Sequence, residues 1–349
     1  MVGDNPRVKP RQKCVNGAEY MKYLKSLPLV AACVSGTAIS SESKQLVMPE
    51  AMELSGHGEE IGPGSSSGAF DPGAAILVNP ALLGVKKTYE VTGSYHWPVI
   101  GREFYQASIV DSVTTEYGTG VFYQGSKEEF EPTVLGDHDS PVNRRLAIGV
   151  SHKQGPLLFG LTGQYLEGQK IENHRWDQVD GTNFGVGVVY MPNATYRIGV
   201  SRQNIGNDEL SFLAPETTRF GVTAMLLDQK LQWNVDYKIR KRIAYFEDPQ
   251  DVFGQSLGYG DDEKIIHTSA RYAVDKRIGV VGTLGQSLSE DKRKQGGMGV
   301  SYANKSYNIT YGLFRPQLNV SETHHTVSLS LSIDRPRKKK KRMASKFKL

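Results

Sequence analysis

The sequence predicts an all-β protein: a transmembrane antiparallel β-barrel of about fourteen strands with an N-terminal plug segment. Three observations predict it. From Lys87 to Ile333, segment after segment alternates apolar and polar residues. Successive side chains of a strand point to opposite faces, so this pattern marks a sheet with one apolar and one polar side. The connections alternate too, short and turn-like, then long and charged, as they do when all the turns of a barrel lie at one membrane face. Finally, mean hydropathy is −0.41. That average suits a barrel, whose lumen-facing residues offset its lipid-facing ones.

Residues 1–20 are polar and unpatterned. Met21 opens a different stretch, with a basic start (Lys22, Lys25), an apolar run Leu27–Ala38 and small residues at Ala38 and Ser40. This is the pattern of a secretory signal, and the apolar run is too short to cross a bilayer as a helix. Residues 1–40 are expected to be a non-native leader plus signal peptide, with Met21 as the true start and cleavage after Ser40. A second reading takes Val30-Ala31-Ala32-Cys33 as a lipobox, with Cys33 the lipidated N-terminus. Either places the protein beyond the inner membrane. The two cysteines, Cys14 and Cys33, lie in this leader. The mature chain is therefore expected to hold neither a disulfide framework nor a cysteine metal site.

Residues 41–85 are expected to form the plug. Gly62-Pro-Gly-Ser-Ser-Ser-Gly68 suits backbone packed in a polar lumen, where irregular chain at membrane depth is tolerated. Asn79-Pro80 is turn chemistry, because proline fixes its own φ and drives the preceding residue out of the helical region. Asn79, Pro80 and Ala81 are read as the structural hinge that hands the plug over to the first strand.

Residues 86–334 carry the barrel. Leu231–Arg240 is the clearest strand: Leu231, Trp233, Val235, Tyr237 and Ile239 share one face, and Gln232, Asn234, Asp236, Lys238 and Arg240 the other. Segments of this kind centre near Val91, Ser108, Val121, Ile148, Leu161, Val188, Ile198, Val222, Val235, Ser269, Val281, Val300, Ile309 and Leu329. Tight turns are expected at 114–116, 153–156, 192–195, 228–230, 275–277 and 304–306. Long loops are expected at 126–143, 167–183, 203–217 and 241–263. With the short turns periplasmic, both termini are periplasmic. Tyr89, Tyr95, Trp97, Tyr190, Tyr196, Trp233, Tyr237, Tyr302 and Tyr307 cluster at strand ends, where interfacial girdles form.

In that setting the run Gly68-Ala-Phe-Asp-Pro-Gly-Ala-Ala75 followed by Asn79-Pro80-Ala81, just before the first strand, resembles the FadL-type long-chain fatty-acid transporter superfamily. Tyr196–Gly206 and Thr217–Val222 are similar to strand signatures of its PorV-like branch. The resemblance covers about residues 41–333. It implies a fourteen-stranded barrel plugged by its N-terminal segment, in the bacterial outer membrane. Two functions follow as expectations: passive transport of hydrophobic or amphipathic, fatty-acid-like small molecules, or a non-transporting barrel that anchors or receives protein partners.

Candidate ligand-binding residues sit on the polar faces. Arg145, Arg219, Lys238 and Arg240 lie near the inferred outer ends of their strands, with Asp236 and His267 deeper. A basic vestibule would attract an anionic head group. Alternatively these groups pair with Asp236, Glu90 or plug carboxylates to fill the lumen. The acidic stretches 127–139 and 247–263 read as solvated loop charge. His324 and His325 are adjacent, so on a strand they face opposite ways and make no joint metal site. No Gly-x-Ser-x-Gly, His-Glu-x-x-His or P-loop motif is present. An enzyme, a metal and a cofactor are therefore not expected.

The formal charge of +5 owes much to Arg335–Arg342, which leaves the body near neutral and argues against nucleic acid as a partner. The basic tail 335–349 is expected in the periplasm, solubilising or against anionic lipid. The partners expected are outer-membrane lipid or lipopolysaccharide, a hydrophobic small-molecule ligand, and possible periplasmic or surface proteins.

Overall fold

Alternation sorts the barrel strands into an inner and an outer row, and the outer row is largely apolar. On β7 (Tyr196–Ile205), Ile198 and Val200 are exposed while Gly199 and Ser201 are buried. On β13 (Ile278–Ser287), Val280 and Leu284 face out while Thr283 and Ser287 face in. A soluble sheet would bury its apolar row; here it faces outward all round, as a lipid belt requires. A computed structural model describes residues 64–98, 102–128, 142–172, 175–206, 210–211, 213–241, 243–247, 255–259, 262–289, 292–315, 318 and 323–332. The expected leader and signal, residues 41–63 of the expected plug, most of the acidic loop at 127–139 and the tail at 335–349 lie outside the described residues.

The remaining strands are β1 (Tyr89–Pro98), β2 (Arg102–Asp111), β3 (Gly118–Glu128), β4 (Val142–Gln154), β5 (Leu157–Glu172), β6 (Arg175–Tyr190), β8 (Thr217–Leu226), β9 (Leu231–Arg240), β10 (Ile243–Glu247), β11 (Gln255–Tyr259), β12 (Glu263–Ala273), β14 (Lys294–Ala303), β15 (Tyr307–Arg315) and β16 (His324–Ser332). Fourteen of the sixteen make one closed antiparallel barrel. Sequence neighbours pair throughout, β9 skips to β12, and β1 closes on β16 with Val91 opposite Leu331. Closure leaves the barrel without an open edge, so its backbone groups are paired where water is absent.

Two expected loops prove to be partly sheet. Glu167–Asn183 is not a loop: β5 and β6 stay paired up to Glu172 and Arg175, sixteen residues each, so this hairpin is longer than its neighbours. The stretch 241–263 carries the separate two-stranded β10–β11 pair, and Glu263 already belongs to β12. In the β5–β6 extension the polar, charged sequence hid a ladder that needs no apolar face, because backbone hydrogen bonds make it.

The core is where the chain before β1 enters the barrel. A short helix, α1 (Ala75–Val78), and a 3₁₀ turn (Pro80–Gly84) bring Ile76, Leu77, Leu82 and Leu83 against the inward Val110, Phe122, Ala147, Leu158 and Val189. A second cluster joins Leu210, Leu213 and Ala214 to Leu166 of β5. Phe70 joins Val281 of β13 and Phe314 of β15. Elsewhere the inner wall is hydroxyl- and amide-rich. On the β1–β2–β16 side Thr92 Oγ1 donates to Ser330 Oγ at 3.0 Å, and His96 bridges Thr326 and Gln106 at 2.7 and 3.1 Å.

Candidate functional site

The site is the junction between residues 64–84 and the wall, and glycine makes it possible. Inward positions on neighbouring strands read Gly160, Gly187 and Ser201 in one cross-strand row, with Gly199 opposite Gly221 beside it. A Cβ at Gly160 would fall on the backbone of Pro80 and Ala81, one at Gly187 on the Asn79 carboxamide, and one at Gly199 on the Ser66 carbonyl. Plug backbone thus packs directly on strand backbone. A strand glycine with another chain in van der Waals range is the expected reason for its presence.

Hydrogen bonds then fix the register. Asn79 Oδ1 accepts from Ala81 N at 3.1 Å, capping the 3₁₀ turn, and its Nδ2 donates to Ser66 O at 2.6 Å. Ser66 is the pivot: its N and Oγ both donate to Asp236 Oδ1, at 2.7 and 2.6 Å. Around it, Arg219 Nη1 donates to Gly64 O at 2.8 Å, Ser67 pairs with Thr223 at 2.7 Å and Gln232 Nε2 donates to Gly68 O at 3.2 Å. Further along, Thr162 and Ser201 hydroxyls donate to the carbonyls of Ile76 and Val78, at 2.9 and 2.7 Å. Burial of so much irregular backbone is tolerated because wall side chains meet its polar groups.

Five of the six predicted lumen residues come together. Thr217, Arg219 and Gly221 of β8 stand opposite Arg240, Lys238 and Asp236 of β9, and Asp236 stands opposite His267 of β12. All five are buried. Arg145 is apart, on β4 between Gln124 and Leu166. Two members of the cluster were not anticipated. Glu263, read from sequence as solvated loop charge, is 2% exposed. Its carboxylate holds Arg240 on one oxygen and Arg293, at 3.0 Å, on the other. The strand start at Glu263 could have been caught from the alternation Glu263, Ile265, His267, Ser269; Arg293 offered no such signal. His267 Nε2 bonds the Thr283 hydroxyl. Asn79, Pro80 and Ala81 lie just inside the short-turn end, since Gly160 and Gly187 are each three residues from that end of their strands.

Among the described residues no group of histidines, cysteines and carboxylates could hold a metal ion. What the cluster does is hold the plug by neutral and charged hydrogen bonds.

No protein-family model matches the chain, and no curated protein matches it in sequence. Solved structures do. The Pseudomonas putida toluene transporter TodX superposes with a TM-score of 0.55 at 13% identity, over 81% of this chain and 100% of that one. The Ralstonia pickettii toluene transporter TbuX gives 0.53 at 15% identity, over 80% and 98%. A Pseudomonas aeruginosa FadL homologue gives 0.53 at 10% identity, over 86% and 100%. This chain has the FadL-type barrel fold. At such identities the shared feature is architecture. Within the FadL-type fold, the lumen contacts of this chain are made by its own residues, the Ser66–Asp236 and Glu263–Arg240 pairs among them.

Proposed function

We propose that this is a bacterial outer-membrane barrel, exported by its N-terminal signal, that lets hydrophobic or amphipathic small molecules of fatty-acid type cross without energy input. The observation that carries the reading is the fold, shared over 97% of the CymD monoaromatic hydrocarbon channel and 100% of the toluene transporter TodX and of a FadL homologue. The lumen supports an amphipathic ligand over a purely apolar one. Its inner wall is largely polar, and the gathering of Arg219, Lys238 and Arg240 toward the long-loop end, with Asp236 and His267 beside them, supports a ligand with an anionic head. Arg145 would serve a separate point of the same wall. Radiolabelled dodecanoate uptake by a strain lacking this protein should fall and recover on complementation; unchanged uptake would sink the reading.

A second reading, a non-transporting barrel that anchors or receives protein partners, is favoured by the plug itself. Glycine-backed packing and the Ser66–Asp236 bonds describe a fixed filling more than a moving gate. Stoichiometric co-purification of one protein together with unchanged uptake would select it.

A further inference from the structure

The stretch of wall that carries the plug inside has a hollow on its outer side. Across β4 to β8 the outer surface carries a cavity of about 610 Å³, floored by Ser151, Gly160, Gly187 and Ser201 and walled by apolar side chains such as Phe159, Leu161, Val188 and Val200. These walls are all outward residues of the lipid belt. Apart from the floor serines, polar groups lie at the two ends. Tyr117 and His152, whose rings lie 5.1 Å apart, mark the short-turn end, and Arg202 with Thr218 marks the long-loop end.

We propose that this hollow is a groove for one acyl chain of a phosphate-bearing lipid of the outer leaflet, with the phosphate on Arg202. The volume is within the roughly 300–1,000 Å³ of small-molecule sites. The groove opens onto lipid, so its occupant comes from the membrane, and a concave trough receives a flexible chain better than the convex wall of a second barrel. Charge selects the head. Arg202 holds Glu216 through Nε and Nη2, and its side chain remains 55% exposed. The Nη1 side of this exposed guanidinium, turned away from Glu216, offers charge-assisted hydrogen bonds to a phosphate at the interface. Long loops of such barrels face outward, which puts Arg202 at the outer leaflet. The inference rests on the lipid-facing belt, and is independent of what the lumen carries.

Native mass spectrometry of the full chain in mild detergent tests it, with lipid A, phosphatidylglycerol and diacylglycerol titrated in turn. Lipid A should bind at one per chain. Leu161→Trp with Val188→Trp, which fills the groove from its lipid side, should abolish that binding. Arg202→Gln should weaken lipid A about tenfold and leave diacylglycerol unchanged. Ile148→Trp with Val222→Trp, also lipid-facing but outside the groove, should bind like the parent. Fast migration on unheated gels checks that each barrel is folded. The proposal falls if the filled variant binds as the parent does, if Arg202→Gln weakens diacylglycerol equally, if phosphatidylglycerol is preferred, or if the occupant is a second copy of the chain.

Discussion

Asn79 shows how much one side chain settles here. It caps its own 3₁₀ turn, reaches Ser66 and lies over Gly187, three contacts that hold two plug segments and one strand in register. Its turn chemistry was legible from Asn79-Pro80; its partners were not, since Ser66 is remote in any local pattern. Gly160→Val tests the close packing. The added Cβ meets backbone that cannot rotate away, so a loss of about 1–3 kcal/mol or more is expected, read as a lower temperature for loss of the fast-migrating unheated band. Gly163→Ala, where a Cβ meets nothing within 4 Å, should stay within about 0.5 kcal/mol. Asp236→Leu tests the polar latch. It strands Ser66 N in a buried site and leaves Ser66 Oγ only the Gly199 carbonyl at 3.4 Å, at a cost of about 1–3 kcal/mol, and limited proteolysis should then cut near Ser66 in a barrel that otherwise stays closed.

At the scale of elements, the short turns explain why strand positions were readable. Four of the six use one device, a side-chain oxygen that accepts two backbone N–H groups just ahead: Asp111, Asn193, Asp275 and Asn304. The other two use positive φ, at Gly155 and at Leu227, Asp228 and Gln229. Asx turns and left-handed residues are local chemistry, so sequence shows them. The long β5–β6 hairpin was missed because a polar ladder leaves no apolar period to read. Asp275 yields a pH prediction. Its carboxyl lies below the usual range, chiefly because Arg277 N donates to it at 2.6 Å and next because Ile278 N does at 2.7 Å. A depressed folded pKa means the turn keeps this support above the unfolded carboxylate pKa and loses it as pH falls through the folded one. The Ile278 amide NMR shift should therefore hold through mild acid and move only below the ordinary aspartate range. In Asp275→Asn it should not titrate; an Ile278 shift that follows the usual aspartate curve in the parent would contradict the turn geometry.

For the whole molecule, the plug and the wall are one packing problem. Between β3 and β9 the lumen holds plug backbone on glycine, while the β1–β2–β16 side keeps a hydroxyl-lined wall. If residues 64–84 are what closes the lumen, Asn79→Leu with Asp236→Leu should raise single-channel conductance in planar bilayers severalfold over a nearly silent parent. A variant whose plug has become protease-sensitive but whose conductance is unchanged would refute that role. On the outer side the backbone at Ser151, Gly160, Gly187 and Ser201 floors the lipid-facing groove, so plug and groove lie on opposite faces of the same strands.

By itself the sequence determined the barrel: alternation marks each of its fourteen strands, turn chemistry marks every short connection, and both act between residues close in the chain. It also named the inward charges. Only tertiary structure decided which of them meet. Arg219, Lys238, Arg240, Asp236 and His267 gather, Arg145 stands apart, and Glu263 moves from presumed solvent to a buried pairing with two arginines. The physical reason is closure. Once a sheet closes on itself around a plug, an inward residue faces whatever the register and the plug bring to it, and that is set by contacts across more than a hundred residues of chain, as between Ser66 and Asp236.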